Sequence, residues 1–99
     1  MFDQCQYPVR SLILYYQEPC ADCLLTRQML RMLSLDIQYR NISEPSYREI
    51  LMAGSGCEHV PCLQITKSEG HCQWICYFDD IIVYIKNLLN ARCHHSSNV

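Results

Sequence analysis

The chain has 99 residues, 49% of them hydrophobic, which is enough for one domain with its own apolar core. The formal net charge is -2 and the Lys and Arg residues are scattered. This argues against an electrostatic nucleic-acid binder, because phosphate binding needs clustered basic side chains. No apolar run is long enough to span a bilayer. Charge and hydropathy together therefore predict neither nucleic acid nor a membrane as a partner.

The content of 8 cysteines fits either a secreted disulfide scaffold or a reducing compartment in which free thiols persist. Residues 1–10 lack the basic start and the apolar stretch of a signal peptide, and the first apolar run is too short to be its core. We therefore expect a cytoplasmic location, with residues 1–10 as an N-terminal extension.

The hydrophobic pattern of the first half predicts a βαβ unit. Residues 11–16 are a β-prone apolar run, typical of a buried strand. Good helix formers follow over residues 21–33, and residues 36–42 alternate between apolar and polar side chains as a strand does. A crossover of this kind makes its two strands parallel. The predicted apolar face of the helix consists of Leu25, Met29 and Met32.

A second helix is predicted after residue 42. Ser43 can cap it with Pro45 in its first turn, or Ser46 and Glu49 can form a capping box. The glycines expected to end it are Gly54 and Gly56.

A hairpin and a last helix complete the predicted domain. Residues 62–66 and 72–77 are β-prone runs on either side of a turn at 67–71, which predicts an antiparallel pair. The final helix begins at Asp79 or Asp80 and ends near Ala91, and its apolar stripe consists of Ile81, Ile85, Leu88 and Leu89. The order β-α-β-α-β-β-α predicts an α/β domain over residues 11–91 with a four-stranded mixed sheet flanked by helices. A loose tail is expected over 92–99.

A Cys-x-x-Cys motif lies where the first strand passes into the first helix. The start of a helix presents unpaired N–H groups and the positive end of its dipole, which stabilise a thiolate. Cys20, in the exposed first position, is the expected nucleophile, and Cys23 is the expected resolving thiol. Asp22 between them opposes a second negative charge and should raise the thiol pKa.

Two other interpretations of this motif stay open, namely zinc ligation and simple burial of the thiols. A structural zinc site usually needs a second pair of ligands, and no metal site is predicted. The strand-to-helix position favours redox chemistry over both.

Three features together resemble a glutaredoxin: the motif Cys20-Ala21-Asp22-Cys23, Val60-Pro61 before the third strand, and Asp79-Asp80 at the last helix. The resemblance extends over roughly residues 11–90. It implies a thioredoxin-like fold and a thiol–disulfide oxidoreductase that acts on disulfides or glutathione mixed disulfides.

The resemblance also implies a binding site. Val60 and Pro61 correspond to the family's cis-proline loop, whose backbone pairs with the substrate, although a proline also commonly begins a strand. Phe78 and Asp79 correspond to the site for the γ-glutamyl end of glutathione, although Asp79 can equally be an ordinary helix cap. The expected partners are glutathione, which acts as reductant, and disulfide-containing or glutathionylated proteins. No tightly bound cofactor is expected.

The chain departs from the family pattern at several positions. Gln17 and Glu58 replace basic residues, and Cys76-Tyr77 replaces a glycine pair before the last helix, so expected anchors for the glutathione carboxylates are missing. One alternative is therefore a thioredoxin-like reductant that does not use glutathione. Another is an iron–sulfur cluster carrier, since Ala21 replaces a proline that hinders cluster binding.

The remaining cysteines are less informative. Cys57 and Cys62 flank the Val60-Pro61 bend and can approach each other, which allows a regulatory disulfide. Cys72 and Cys76 lie four apart on one strand, too far for a disulfide, and are expected to be small core residues on one face of the sheet. Loosely held segments are expected to contain Cys5 and Cys93-His94-His95.

Overall fold

The computed structural model describes residues 9–33, 35–67 and 72–97, with side chains described from 11 to 90 within those ranges. The predicted order of elements, β-α-β-α-β-β-α, is confirmed. The elements are β1 (Val9–Tyr16), α1 (Ala21–Leu30), β2 (Asp36–Asn41), α2 (Pro45–Ser55), β3 (Cys62–Lys67), β4 (Cys72–Ile75) and α3 (Phe78–Ser97).

The strands form one mixed sheet in the order β2-β1-β3-β4. β1 and β2 are parallel, as the βαβ pattern predicts. β1 pairs with β3, and β3 with β4, in antiparallel fashion, so the predicted hairpin is confirmed. Its turn at residues 68–71 lies outside the described residues.

Alternation along the strands builds a separate core on each face of the sheet. Leu12 and Leu14 of β1 pack with buried residues of α1 and α3 on one face. Tyr15 packs with Leu51 of α2 and Cys62 of β3 on the other face. This two-residue period places α1 and α3 on one side of the sheet and α2 on the other.

The predicted buried face of α1 is wrong. Leu25 is 45% exposed and Met32 is 63% exposed, whereas the buried residues of this helix are Cys23, Thr26 and Leu30. The helix has apolar side chains around much of its circumference, so periodicity alone does not select a face. Docking against α3 and the sheet selects the face that contains Cys23.

The ends of α2 differ in detail from the prediction. Pro45 lies in the first turn as expected, but Glu44 rather than Ser43 is the N-cap residue, and no side chain caps the helix. Gly56 ends the helix with φ 78°, a left-handed conformation that glycine adopts without strain. Gly54 lies inside the helix, where its lack of a Cβ allows the Trp74 ring of β4 to approach.

α3 extends further than predicted. The sequence predicts an end near Ala91, whereas the helix continues to Ser97. Of the residues after Asn90, none breaks a helix as Gly or Pro does, so nothing in the sequence stops the helix at Ala91. Of the predicted N-terminal extension, residues 1–8 lie outside the described residues, and β1 begins at Val9. No helix within the described residues is long and apolar enough to cross a membrane.

Candidate functional site

The segments that contain the predicted site residues meet at one edge of the sheet, namely the edge at which β1 and β4 end and β3 begins. Tyr15 pairs with Cys62, so the end of β1 lies beside the start of β3, which Pro61 precedes. Leu63 pairs with Ile75, so the end of β4 and the following start of α3 lie at the same edge. The motif that follows β1 and the segments around Pro61 and Phe78 therefore share this edge.

Cys20 is the N-cap residue of α1. Its backbone is extended, with φ -158° and ψ 109°, and its Sγ accepts a hydrogen bond from the Cys23 N–H at 3.1 Å. Sulfur thus takes the place that a Ser, Thr or Asp oxygen usually occupies at a helix start. A negative charge at this position gains about 0.3–1 kcal/mol from the helix dipole, in addition to the hydrogen bond. The half-buried Cys20 remains partly accessible to solvent.

Cys23 has a different environment from Cys20, although they lie one turn apart. Its side chain is 2% exposed, and burial, followed by the hydrogen bond with Cys20, raises its pKa to about 12. The charge of Asp22 is the smallest of the causes that raise this pKa. Cys23 therefore stays a thiol at neutral pH, and the accessible sulfur of the pair is that of Cys20.

An open depression of about 420 Å³ lies beside the two cysteines. The end of β1, the loop after it and the first two turns of α1 form its wall. The lining residues are Tyr16, Gln17, Glu18, Pro19, Cys20, Ala21, Cys23, Leu24 and Arg27.

Arg27 lines this depression, although nothing in the sequence analysis placed it there. Its guanidinium lies 4.9 Å from the ring centroid of Tyr16 and 5.3 Å from that of Tyr39. The exposed carboxylate of Glu18 lies 3.7 Å away and shares this charge. Arg27 follows Cys23 by one helical turn, and this spacing is the signal that could have placed it at the depression.

Val60, Pro61, Phe78 and Asp79 do not line this depression. The Val60-Pro61 peptide is cis, as the resemblance implies, and so is the Glu18-Pro19 peptide, which was not predicted. Val60 is half-buried and Pro61 is buried. Phe78 begins α3 and Asp79 is exposed in its first turn.

An aromatic contact holds the two predicted binding segments together. The rings of His59 and Tyr77 lie 5.3 Å apart between centroids and are tilted by 34°. His59 directly precedes Val60, and Tyr77 directly precedes Phe78. The two segments therefore lie next to each other at the edge of the sheet.

The predictions for the other cysteines need correction. Cys57 Sγ lies 2.9 Å from Cys76 Sγ, and Cys62 Sγ lies 3.9 Å from Cys76 Sγ, so Cys76, which was not predicted as a neighbour of Cys57, is in contact with it. Cys72 is exposed rather than part of the core, because β4 is an outermost strand of the sheet. Cys5 and the side chains of residues 93–95 lie outside the described part. Among the described residues, no group of three or more His, Cys, Asp or Glu side chains is arranged to hold a metal ion.

Comparison with known proteins agrees with this arrangement. The family model for glutaredoxin matches residues 12–69. A mutant of the thioredoxin-like protein BC3987 superposes with a TM-score of 0.64 at 18% identity, over 80% of this chain and 99% of that chain. Another structure of BC3987 gives a TM-score of 0.60 at 13% identity, over 75% of this chain and 97% of that chain. No curated protein matches the chain.

The two kinds of comparison support different conclusions. At such low identity, the structural neighbours establish a thioredoxin-like fold and nothing finer. The family match, over more than half of the chain, supports a thiol redox function on that fold. The chain belongs to the glutaredoxin family.

Proposed function

We propose that the protein is a thiol–disulfide oxidoreductase of the glutaredoxin type, which reduces disulfides and glutathione mixed disulfides through Cys20 and Cys23. The observation that supports this most is the contrast between the two sulfurs. Cys20 Sγ accepts an N–H at the start of α1 and is partly accessible, whereas Cys23 is buried with its pKa raised to about 12. Such a pair has a defined attacking sulfur and a protected second thiol.

The proposed reaction begins when the Cys20 thiolate attacks the glutathione sulfur of a mixed disulfide. A Cys20–glutathione disulfide forms, and the substrate sulfur leaves as a thiolate that takes up a proton. A second glutathione thiolate can then attack the glutathione sulfur, which releases oxidised glutathione and restores Cys20. Alternatively, Cys23 loses its proton and attacks Cys20 Sγ, which releases glutathione and leaves a Cys20–Cys23 disulfide.

The binding part of the proposal uses the two adjoining segments at the edge of the sheet. The Val60 backbone would pair with the extended substrate, and Pro61 would shape this contact. The exposed Asp79 carboxylate would hold the glutathione ammonium, and the backbone N–H groups at Phe78 and Asp79 would hold its γ-glutamyl carboxylate. A reducing compartment such as the cytoplasm belongs to this proposal, because the cycle needs free thiols.

One observation supports a second candidate, in which a reductase protein rather than glutathione recycles the enzyme. Glu58 is exposed beside the predicted binding loop and forms a 3.1 Å ion pair with Arg48. An ion-paired carboxylate offers the glutathione carboxylates no positive partner, unlike the basic residue that it replaces. The iron–sulfur alternative stays a prediction based on Ala21, and absence of visible absorbance after anaerobic purification would argue against it.

The test is the reduction of a glutathionylated peptide by the unsubstituted protein and by cysteine variants. We expect Cys20→Ser to abolish turnover, because the attacking sulfur is removed, and Cys23→Ser to keep part of it through the glutathione route. Cys72→Ser is the matched control, since it removes an exposed thiol away from the motif, and it should keep full turnover. Full turnover by Cys20→Ser would refute the proposal. Turnover that requires a reductase in place of glutathione would favour the second candidate.

A further inference from the structure

A cluster of three thiols lies outside the Cys20 motif, on the face of the sheet that α2 covers. Cys76 Sγ is its centre, with Cys57 Sγ at 2.9 Å and Cys62 Sγ at 3.9 Å. Pairing of β3 with β4 brings Cys62 and Cys76 side by side, and the chain leaving α2 brings Cys57 to them. No role in the proposed reaction accounts for this arrangement.

Two members of the cluster are free to react and one is not. Cys57 lies in the irregular segment after α2, and Cys76 lies just beyond the end of β4, so neither backbone is held in a ladder. Both side chains are half-buried. Cys62 is fully buried within β3, and burial raises its pKa to about 12.

The separation of Cys57 and Cys76 also suits a covalent bond. Their sulfurs are 2.9 Å apart, and a disulfide needs about 2.05 Å, so a shift of less than about 1 Å closes the gap. Cys57 and Cys76 both lie in irregular stretches of the chain, which can absorb such a shift. The Cys62 sulfur starts a full ångström further from Cys76 and lies in the hydrogen-bonded part of the sheet.

We propose that Cys57 and Cys76 form a second redox-active dithiol, which low-molecular-weight disulfides such as oxidised glutathione convert to an intramolecular disulfide. Cys76 is the attacking residue, because its sulfur lies within reach of two thiol donors, Cys57 and Cys62. This site does not depend on Cys20 or Cys23 and goes beyond the function proposed above.

The proposed oxidation takes place in two exchanges. The Cys76 thiolate attacks one sulfur of oxidised glutathione, which forms a Cys76–glutathione disulfide and releases one glutathione thiolate. Cys57 then attacks Cys76 Sγ, which forms the Cys57–Cys76 bond and releases the second glutathione. The two thiol protons pass to the two departing thiolates, so the protein loses two electrons and oxidised glutathione gains them.

The disulfide would tie together the two predicted binding segments. Cys57 lies three residues before Val60, and Cys76 lies two residues before Phe78. These are the segments that the His59–Tyr77 ring contact already joins. Oxidation would convert this noncovalent contact into a covalent link at the same edge of the sheet.

The experiment uses the full chain with Cys20→Ser and Cys23→Ser, so that the motif cannot take part. The reduced protein is exposed to oxidised glutathione, free thiols are alkylated, and peptides are mapped by mass spectrometry without reduction. We expect a Cys57–Cys76 cross-linked peptide, with the intact protein lighter by two hydrogen atoms. The unsubstituted chain is mapped in parallel and should give the same cross-link, which controls for any folding defect of the double variant.

Two further variants sharpen the test. Cys72→Ser removes the exposed cysteine of the same hairpin and should leave the cross-link intact. Cys57→Ser removes the resolving thiol, so Cys76 should accumulate as a glutathione adduct. The proposal is overturned if Cys57 and Cys76 stay alkylatable, acquire separate glutathione adducts in the unsubstituted chain, or pair with Cys62 instead. None of these outcomes bears on turnover by Cys20, so the two proposals can fail separately.

Discussion

Replacing Gly54 with alanine is expected to destabilise the protein, although alanine is the better helix former. Gly54 lies within α2 and faces the indole of Trp74. A Cβ at this position would overlap Trp74 Cζ2 and lie 2.6 Å from Cε2. Carbon atoms pack at about 3.5–4.0 Å, so the indole or the helix has to move by more than about 1 Å.

Three effects determine the size of the change. Alanine in place of glycine favours a helix by about 0.8–1 kcal/mol. Overpacking costs about 1–3 kcal/mol. Trp74 also stacks near Tyr15, with 5.5 Å between ring centroids, and disturbing such a pair costs a further ~0.5–1.5 kcal/mol. The two costs exceed the gain, so we expect the free energy of unfolding to fall by about 0.5–3.5 kcal/mol.

Urea unfolding measures this change, and the fluorescence of Trp74, the single Trp of the chain, reports whether the ring moves. The matched comparison introduces the same alanine into a Trp74→Leu background and follows unfolding by circular dichroism. With the indole gone, alanine should stabilise the helix by about 0.8–1 kcal/mol. Gly54→Ala that is as stable as the parent chain, with unchanged fluorescence, would refute this packing argument.

Three other predictions concern the core, the pH dependence and the site. Ile85→Ala should cost about 2–5 kcal/mol in urea unfolding because Ile85 is fully buried, whereas Val83→Ala on the exposed side of α3 should stay within about 0.5 kcal/mol; equal losses would contradict the docking of α3. Burial raises the pKa of Cys62 from 9.0 to about 12, so the protonated thiol contributes stability that is complete below pH 9.0 and is lost as pH rises toward 12. The urea midpoint should fall less over this range in Cys62→Ala than in the parent chain, and an equal fall would contradict the raised pKa. Arg27→Gln should slow the reduction of anionic disulfides severalfold, and more at low than at high ionic strength, because it removes a positive charge from the depression. Arg31→Gln should leave the rate unchanged, and equal rates in the two variants would show that Arg27 has no role at the site.

The sequence predicts the fold well where two signals agree. The alternation in residues 36–42 and the βαβ order together predict a parallel β1–β2 pair, which the structure contains. The face of α1 was mispredicted because its apolar residues surround the helix, so only contact with α3 distinguishes Leu30 from Leu25. The end of α3 was mispredicted because nothing in the chain marks it.

The candidate site, like the fold, could be predicted from the sequence only in part. The position of Cys20 at the helix start follows from the motif and the preceding strand. The contact between Cys57 and Cys76 could not be predicted, because it depends on the β3–β4 register and on the path of the chain after Gly56. Sequence proximity pointed only to Cys62 as a neighbour of Cys57. The position of the Arg27 guanidinium could not be predicted, because it depends on which face of α1 is buried.

If Cys20 provides the attacking sulfur, it must also carry the first mixed disulfide that forms. The Cys23→Ser variant is exposed briefly to a glutathionylated peptide, quenched with acid and mapped by mass spectrometry. We expect glutathione to appear first on Cys20 while the other cysteines remain free. Glutathione that appears first on another cysteine, with Cys20 still unmodified, would contradict it.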